Sequence, residues 1–160
     1  ELDFPYFIEK KSPVTASPGL VDYQIHFDAA LHGKDLRFKV AVTVPVTTLC
    51  PCSKAISERG AHNQRGLVRL EVTFGKTVWI EDLVTLVESC ASSEIFSLLK
   101  RPDEKHVTER AYDNPVFVED LVRAISLRCD SHPDINWYRV EAENFESIHN
   151  HSAYAMIERG

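Results

Sequence analysis

An α+β fold is predicted, with two helices on one face of an antiparallel sheet in the order β-β-β-α-α-β-β. Alternating apolar and polar residues recur before and after a central block, the period of half-buried strands. Inside that block, between about residues 80 and 129, apolar residues recur at helical spacing instead. Residues 1–19 hold Pro5, Pro13 and Pro18 and read as an irregular entry segment with a short strand at its start. Residues 20–160 read as a single module. Its first strand alternates Val21, Tyr23, Ile25 and Phe27 with polar neighbours, and His32-Gly33-Lys34-Asp35 turns it into a second strand through Leu36, Phe38, Val40, Val42 and Val44. A third strand follows at Val68, Leu70, Val72 and Phe74. The stripe Leu83, Val84, Val87, Cys90, Ala91, Ile95, Leu98 and Leu99 predicts one long helix from Ile80, ended by Arg101-Pro102. Asn114 before Pro115 reads as the cap and first position of a second helix, with Val118, Leu121, Val122, Ile125 and Cys129 inward. Strands around 135–142 and 152–157 complete the order.

The 160 residues are 44% hydrophobic, enough for a core and for one domain. A formal net charge of −6 argues against a general nucleic-acid binder. No apolar run approaches membrane-spanning length and no signal peptide is evident. Four cysteines are too few for a disulfide scaffold, and Cys90 and Cys129 fall in helical stripes, as buried thiols of a reducing compartment do. A cytoplasmic location is expected. The chain opens on Glu1 rather than Met, so a longer protein is expected around it.

Three regions carry polar chemistry that a core would not require. Residues 49–65 read LCPCSKAISERGAHNQR, with Cys50 and Cys52 around Pro51 and His62 twelve positions after Cys50. Packed cysteines and a surface histidine are the commoner fate of such residues. A stiffened thiol pair in a polar loop is better explained by metal or nucleophile chemistry. The spacing is not that of a zinc finger, and an incomplete ligand set is how catalytic metal sites differ from structural ones. Residues 100–109, with Lys100, Arg101, Glu104 and Lys105, read on pattern as a solvated charged loop. Alternatively, a carboxylate there completes a metal shell while the cations hold phosphates. Glu119 is either a favourable partner of its helix dipole or a carboxylate accepting two hydrogen bonds from a guanine-like ring. Residues 143–152 pack Glu143, Glu146, His149 and His151 between two strands, which is either a polar hairpin or a general acid/base site.

Taken together, LCPCSKAISERGAHNQR, LLKRPDEKHVTERAYDNPVFVEDLVR and ENFESIHNHSAYA resemble the C-terminal part of the prokaryotic type IB GTP cyclohydrolase family. The resemblance implies the tunnelling fold (T-fold), in which modules join their sheets into barrels. It implies conversion of GTP and water to 7,8-dihydroneopterin triphosphate and formate, the first step of tetrahydrofolate synthesis. It matches Cys50, His62 and Glu104 to metal ligands, with manganese or zinc, or else ferrous iron, as the ion. Cys52 matches a second thiol beside the metal, His149 a catalytic histidine with His151 its neighbour, and Glu119 the carboxylate that anchors the ring. The triphosphate needs local cations in an acidic chain, and Lys54, Arg65, Lys100, Arg101 and Lys105 are the candidates. The family's further upstream module, with its His-Met-Ser-Arg segment, has no match here, so a homo-oligomer of T-fold chains, a tetramer, is expected to complete the site. Two rivals stand beside this reading. A T-fold nitrile reductase of queuosine synthesis would use a thiol nucleophile and no metal. A non-catalytic metal- or pterin-binding module of a larger assembly would bind without turnover.

Overall fold

Backbone pairing in the computed structural model, which describes residues 1–160, joins every strand into one antiparallel sheet. The strands are β1 (Leu2–Lys11), β2 (Pro18–His32), β3 (Asp35–Leu49), β4 (Asn63–Phe74), β5 (Ser93–Glu94), β6 (Ile135–Phe145) and β7 (Ser152–Arg159). Their spatial order is β1-β2-β3-β4-β6-β7, with the short β5 pairing β3. The helices are α1 (Pro51–Ile56), α2 (Ile80–Glu88), α3 (Arg101–Asp113) and α4 (Val118–Asp130). The α+β class stands. The expected order does not, because four helices replace two and additional strands appear.

Each difference has a local cause. The entry segment is a full strand: Leu2, Phe4, Tyr6 and Ile8 share one face, and Pro5 is tolerated because β1 is an edge strand paired only with β2. The long helix stops at Glu88. The serines that follow bond to backbone groups instead of continuing the helix: Ser89 Oγ donates to the Leu86 carbonyl (2.8 Å), and Ser92 Oγ accepts the Leu49 N–H (3.0 Å). β5 then pairs Ser93 and Glu94 with Thr47 and Val46. Arg101-Pro102 opens a helix rather than closing one, since Pro needs no N–H partner in a first turn and the Asp103 carboxylate accepts the Lys100 N–H (2.9 Å). Asn114 caps the C-terminus of α3. The next residues stay extended because the Val116 N–H bonds the Leu49 carbonyl (3.0 Å), so α4 begins at Val118.

The core lies between the sheet and α2 and α4. Val42, Val44 and Val46 of β3, Val68, Leu70 and Val72 of β4, and Val140 and Ala142 of β6 meet Leu83, Val87, Leu121 and Ile125, all buried. At one end of the same inward rows the chemistry changes. Beyond Val46 of β3, Gly66 of β4 and Ala142 of β6, the inward positions are taken by Thr48, Gln64 and Asn144, also buried but polar. No helix is long and apolar enough to cross a membrane.

Candidate active site

The polar end of the sheet carries a cavity of about 240 Å³, lined by Cys50, His62, Gln64, Glu119, Asn144, Glu146, His149 and His151 with a few apolar neighbours. Cys50 follows the last residue of β3, and α1 returns the chain so that the Cys50 N–H bonds the His62 carbonyl (3.1 Å) as β4 begins. Ser53 ties the loop further. Its N–H donates to Cys50 Sγ (3.4 Å), its hydroxyl to the Cys50 carbonyl (3.1 Å), and its Oγ accepts the His62 N–H (3.2 Å). A half-buried thiol and an imidazole are thereby held in one loop, and both line the cavity.

Gln64 sets the orientation of that imidazole. Its amide oxygen stands 3.0 Å from His62 Nδ1, a contact that is a hydrogen bond in the tautomer carrying its proton on Nδ1. The lone pair of Nε2 is then free to bind a metal. Glu146 Oε2 lies 4.0 Å from the same Nδ1, and the rings of His149 and His151 stack with centroids 5.0 Å apart. Glu119, in the first turn of α4, brings a carboxylate to the cavity from the helix layer. No Lys or Arg lines the cavity. Its acids and imidazoles suit a cation and a polar ring, and leave phosphates to be held at its rim or beyond.

Of the residues expected from the sequence, Cys50, His62, Glu119, His149 and His151 meet here. Cys52 is exposed on α1, outside the lining. Glu104 is half exposed on α3, where it pairs with Arg101 (2.9 Å), and no three His, Cys, Asp or Glu side chains converge at metal-binding geometry within one chain. The expected phosphate cations are scattered. Lys54 binds the Tyr112 carbonyl and sits 4.3 Å from the centre of its ring, Lys105 pairs with Glu109 at 3.7 Å, and Arg65 and Lys100 are exposed. Beside Glu104, the fully buried Asp103 accepts hydrogen bonds from Val14 N–H (2.9 Å), Thr15 N–H (2.8 Å) and the Thr15 hydroxyl (2.6 Å), besides Lys100 N–H. Burial alone would raise its pKa, but these donors hold it well below the usual carboxylate range. Sequence reasoning assigned no role to Gln64 or Asn144, and counted Glu146 only among the acids of the 143–152 region. The available signal for the first two was a polar residue at the inward position of a strand whose neighbouring inward residues are non-polar or aromatic, Gly66, Val68, Leu70 and Val72 on β4 and Tyr138, Val140 and Ala142 on β6.

A larger hollow of about 780 Å³ lies beside the β2–β3 turn. Its Lys39 is already engaged, 2.9 Å from Glu71 and 4.3 Å from the centre of the Trp137 ring. The chemistry-bearing groups are at the smaller site.

Fold and site together define an α+β module with a thiol, imidazoles and carboxylates gathered at the end of its sheet. The chain belongs to the type I GTP cyclohydrolase folE2 family, whose model matches residues 1–155. It is 64% identical over 162 residues to the GTP cyclohydrolase FolE2 of Akkermansia muciniphila, covering 99% of this chain and 61% of that protein. Its identity to the GTP cyclohydrolase FolE2 of Magnetococcus marinus is 59% over 160 residues, covering 100% of this chain and 60% of the relative. For that of Syntrophotalea carbinolica the identity is 58% over 158 residues, with 99% and 59% covered. The chain thus spans about three-fifths of the length of these relatives.

Proposed function

We propose that this chain supplies the catalytic module of a GTP cyclohydrolase that converts GTP and one water to 7,8-dihydroneopterin triphosphate and formate, feeding tetrahydrofolate synthesis. The observation that carries this reading is the single cavity joining Cys50 and His62 to Glu119 and to the Glu146, His149 and His151 cluster. The type IB subtype and the T-fold belong to the same proposal. The sheet with helices on one face is consistent with such a module, and β1 and β7 each keep one unpaired edge, which favours assembly into a homo-oligomer, as a tetramer of T-fold chains.

The donor set suits a divalent ion of borderline softness such as manganese, zinc or ferrous iron. Cys50 and His62 would hold it through sulfur and Nε2, with Glu104 as the third ligand on the family resemblance. Glu146 is the carboxylate that already lines the cavity. When bound, such an ion lowers the pKa of water from 15.7 towards 7, which suits attack on the ring carbon of guanine. The protein's own groups do the rest. Glu119 accepts two hydrogen bonds from the ring and fixes its orientation. His149 and His151 move protons during ring opening, formate release and recyclisation. Cys52, exposed on the first turn of α1, is a further candidate proton carrier on the family resemblance. Lys54, Arg65, Lys100, Arg101 and Lys105 remain the candidates for the triphosphate.

Formate release from GTP tests the reading on the full-length protein and on this chain alone. Release by the full-length protein is expected, and its absence under reducing conditions with manganese or zinc would contradict the proposal. Metal content of Glu104→Gln and Glu146→Gln identifies the carboxylate ligand: the true ligand's variant loses metal and the other retains it.

A further inference from the structure

β3 ends one residue before Cys50, and the two edges of that strand end are held by different means. On the β4 side, the Cys50 N–H bonds the His62 carbonyl (3.1 Å). Successive residues of a strand turn their backbone groups to opposite edges, so those of Leu49 face away from β4. β2 pairs β3 only as far as Thr43, and β5 pairs it only at Val46 and Thr47, so no strand lies beside Leu49 on that edge. Two other groups stand in for one. The Leu49 carbonyl accepts the Val116 N–H (3.0 Å), and the Leu49 N–H donates to Ser92 Oγ (3.0 Å). Ser92 is fully buried and immediately precedes β5. Its hydroxyl takes the place of the backbone carbonyl that a longer β5 would supply. Ala91 beside it is also buried, so packing at this turn needs no hydroxyl. Without one, the N–H of the buried Leu49 would lose its acceptor.

We propose that Ser92 is a positioning residue for the metal-binding thiol. By holding the Leu49 N–H it fixes the last peptide of β3, and with it the place of Cys50 Sγ relative to the His62 imidazole. This rests on the reading of Cys50 and His62 as metal ligands given above. Both backbones are tied into the sheet, His62 where β4 begins and Cys50 where β3 ends. A released Leu49 N–H must find another acceptor, and the peptide that carries Cys50 shifts with it. Metal–ligand distances are held to about 0.2 Å, so a small shift of that peptide is read as lost affinity. Ser92 itself lies outside the cavity lining and acts only through Leu49.

The test is cobalt(II) binding to metal-free full-length protein, followed by the thiolate-to-cobalt charge-transfer absorption that reports a bond between cysteine sulfur and the metal. Ser92→Ala is expected to weaken cobalt binding about tenfold, as loss of a group supporting a ligand does, and to lower the absorption per bound ion. Ser92→Thr keeps the hydroxyl and is expected to restore both. If the alanine variant does not fold, Ser92→Cys, with a sulfur that accepts only weakly, carries the same comparison. A folded Ser92→Ala that melts earlier yet binds cobalt with wild-type affinity and absorption would overturn the inference, because Ser92 would then serve stability alone. A threonine variant as impaired as the alanine one would overturn it too. Wild-type protein that binds no cobalt, or binds it without the charge-transfer absorption, sinks the reading of Cys50 as a ligand. A wild type that shows the absorption, with an unaffected Ser92→Ala, sinks this inference alone.

Discussion

The inward faces of β3, β4 and β6 have an apolar centre and a polar end, built from inward positions of the same strands. At the centre, Val44, Val68 and Ala142 belong to one buried apolar cluster with Leu121 and Ile125 of α4. At the end, Thr48, Gln64 and Asn144 are buried too, and Gln64 and Asn144 border a cavity with Cys50, His62 and Glu119. Burial is the same in both regions, so burial does not separate them. What separates them is whether polar atoms find partners inside the chain. The centre exchanges apolar area with water and needs nothing else. The end retains an unpaired Asn144 oxygen and an imidazole nitrogen free for a ligand, features that stabilise the fold poorly and suit a site. The comparison teaches that this module holds its site on the rigid strands that also form its core, and reserves loops for the groups that complete it.

That division can be broken by substitutions on either side. The largest effect is expected at the centre. Leu121→Ala should cost about 2–5 kcal/mol of stability, read from denaturant unfolding, with metal affinity of the folded protein unchanged. A variant that lost metal before it lost stability would show the two regions to be one. Next comes His62→Ala, expected to lower metal affinity by about 100-fold or more while leaving the unfolding midpoint of the metal-free protein in place. Gln64→Leu sharpens the comparison, because it removes only the acceptor that holds His62 Nδ1–H. About a tenfold loss of metal affinity is expected, against little change in stability, by metal titration and thermal melting. The smallest effect concerns Asp103, which braces the start of α3 rather than either region. Its pKa is depressed from an ordinary value of 3.8, so its stabilising contribution is complete above that pH and is lost as pH falls towards the folded-state value. Asp103→Asn should therefore flatten the acid side of the stability profile below about pH 4, and an unchanged acid limb would contradict this account of Asp103.

The strands were legible because alternation has a period of two and survives without tertiary context, as in Val40, Val42 and Val44. Helix ends were not. Ile95, Leu98 and Leu99 keep a helical spacing although the Ser89–Ser93 stretch has left the helix, and Pro102 reads equally as a stop or as a first turn. The short α1 buries no residue, so no apolar stripe announces it. At the site, Cys50, His62, Glu119, His149 and His151 were visible through their chemistry. Gln64 and Asn144 were not, because a polar residue in a polar loop or strand end becomes informative only once strand register turns it inward. Arg101 and Glu104 pair because they lie three residues apart on α3, whereas whether Glu104 reaches the cavity depends on how α3 is placed, which spacing does not encode.

The most direct measurement is formate release from GTP by metal-stripped full-length protein titrated with manganese or zinc, followed with the fluorescence of the oxidised pterin product. Formate and dihydroneopterin triphosphate in equal amounts, rising with bound metal and lost in His62→Ala, are the result this account expects. Metal that binds without any formate, or formate that His62→Ala releases at the wild-type rate, would contradict it.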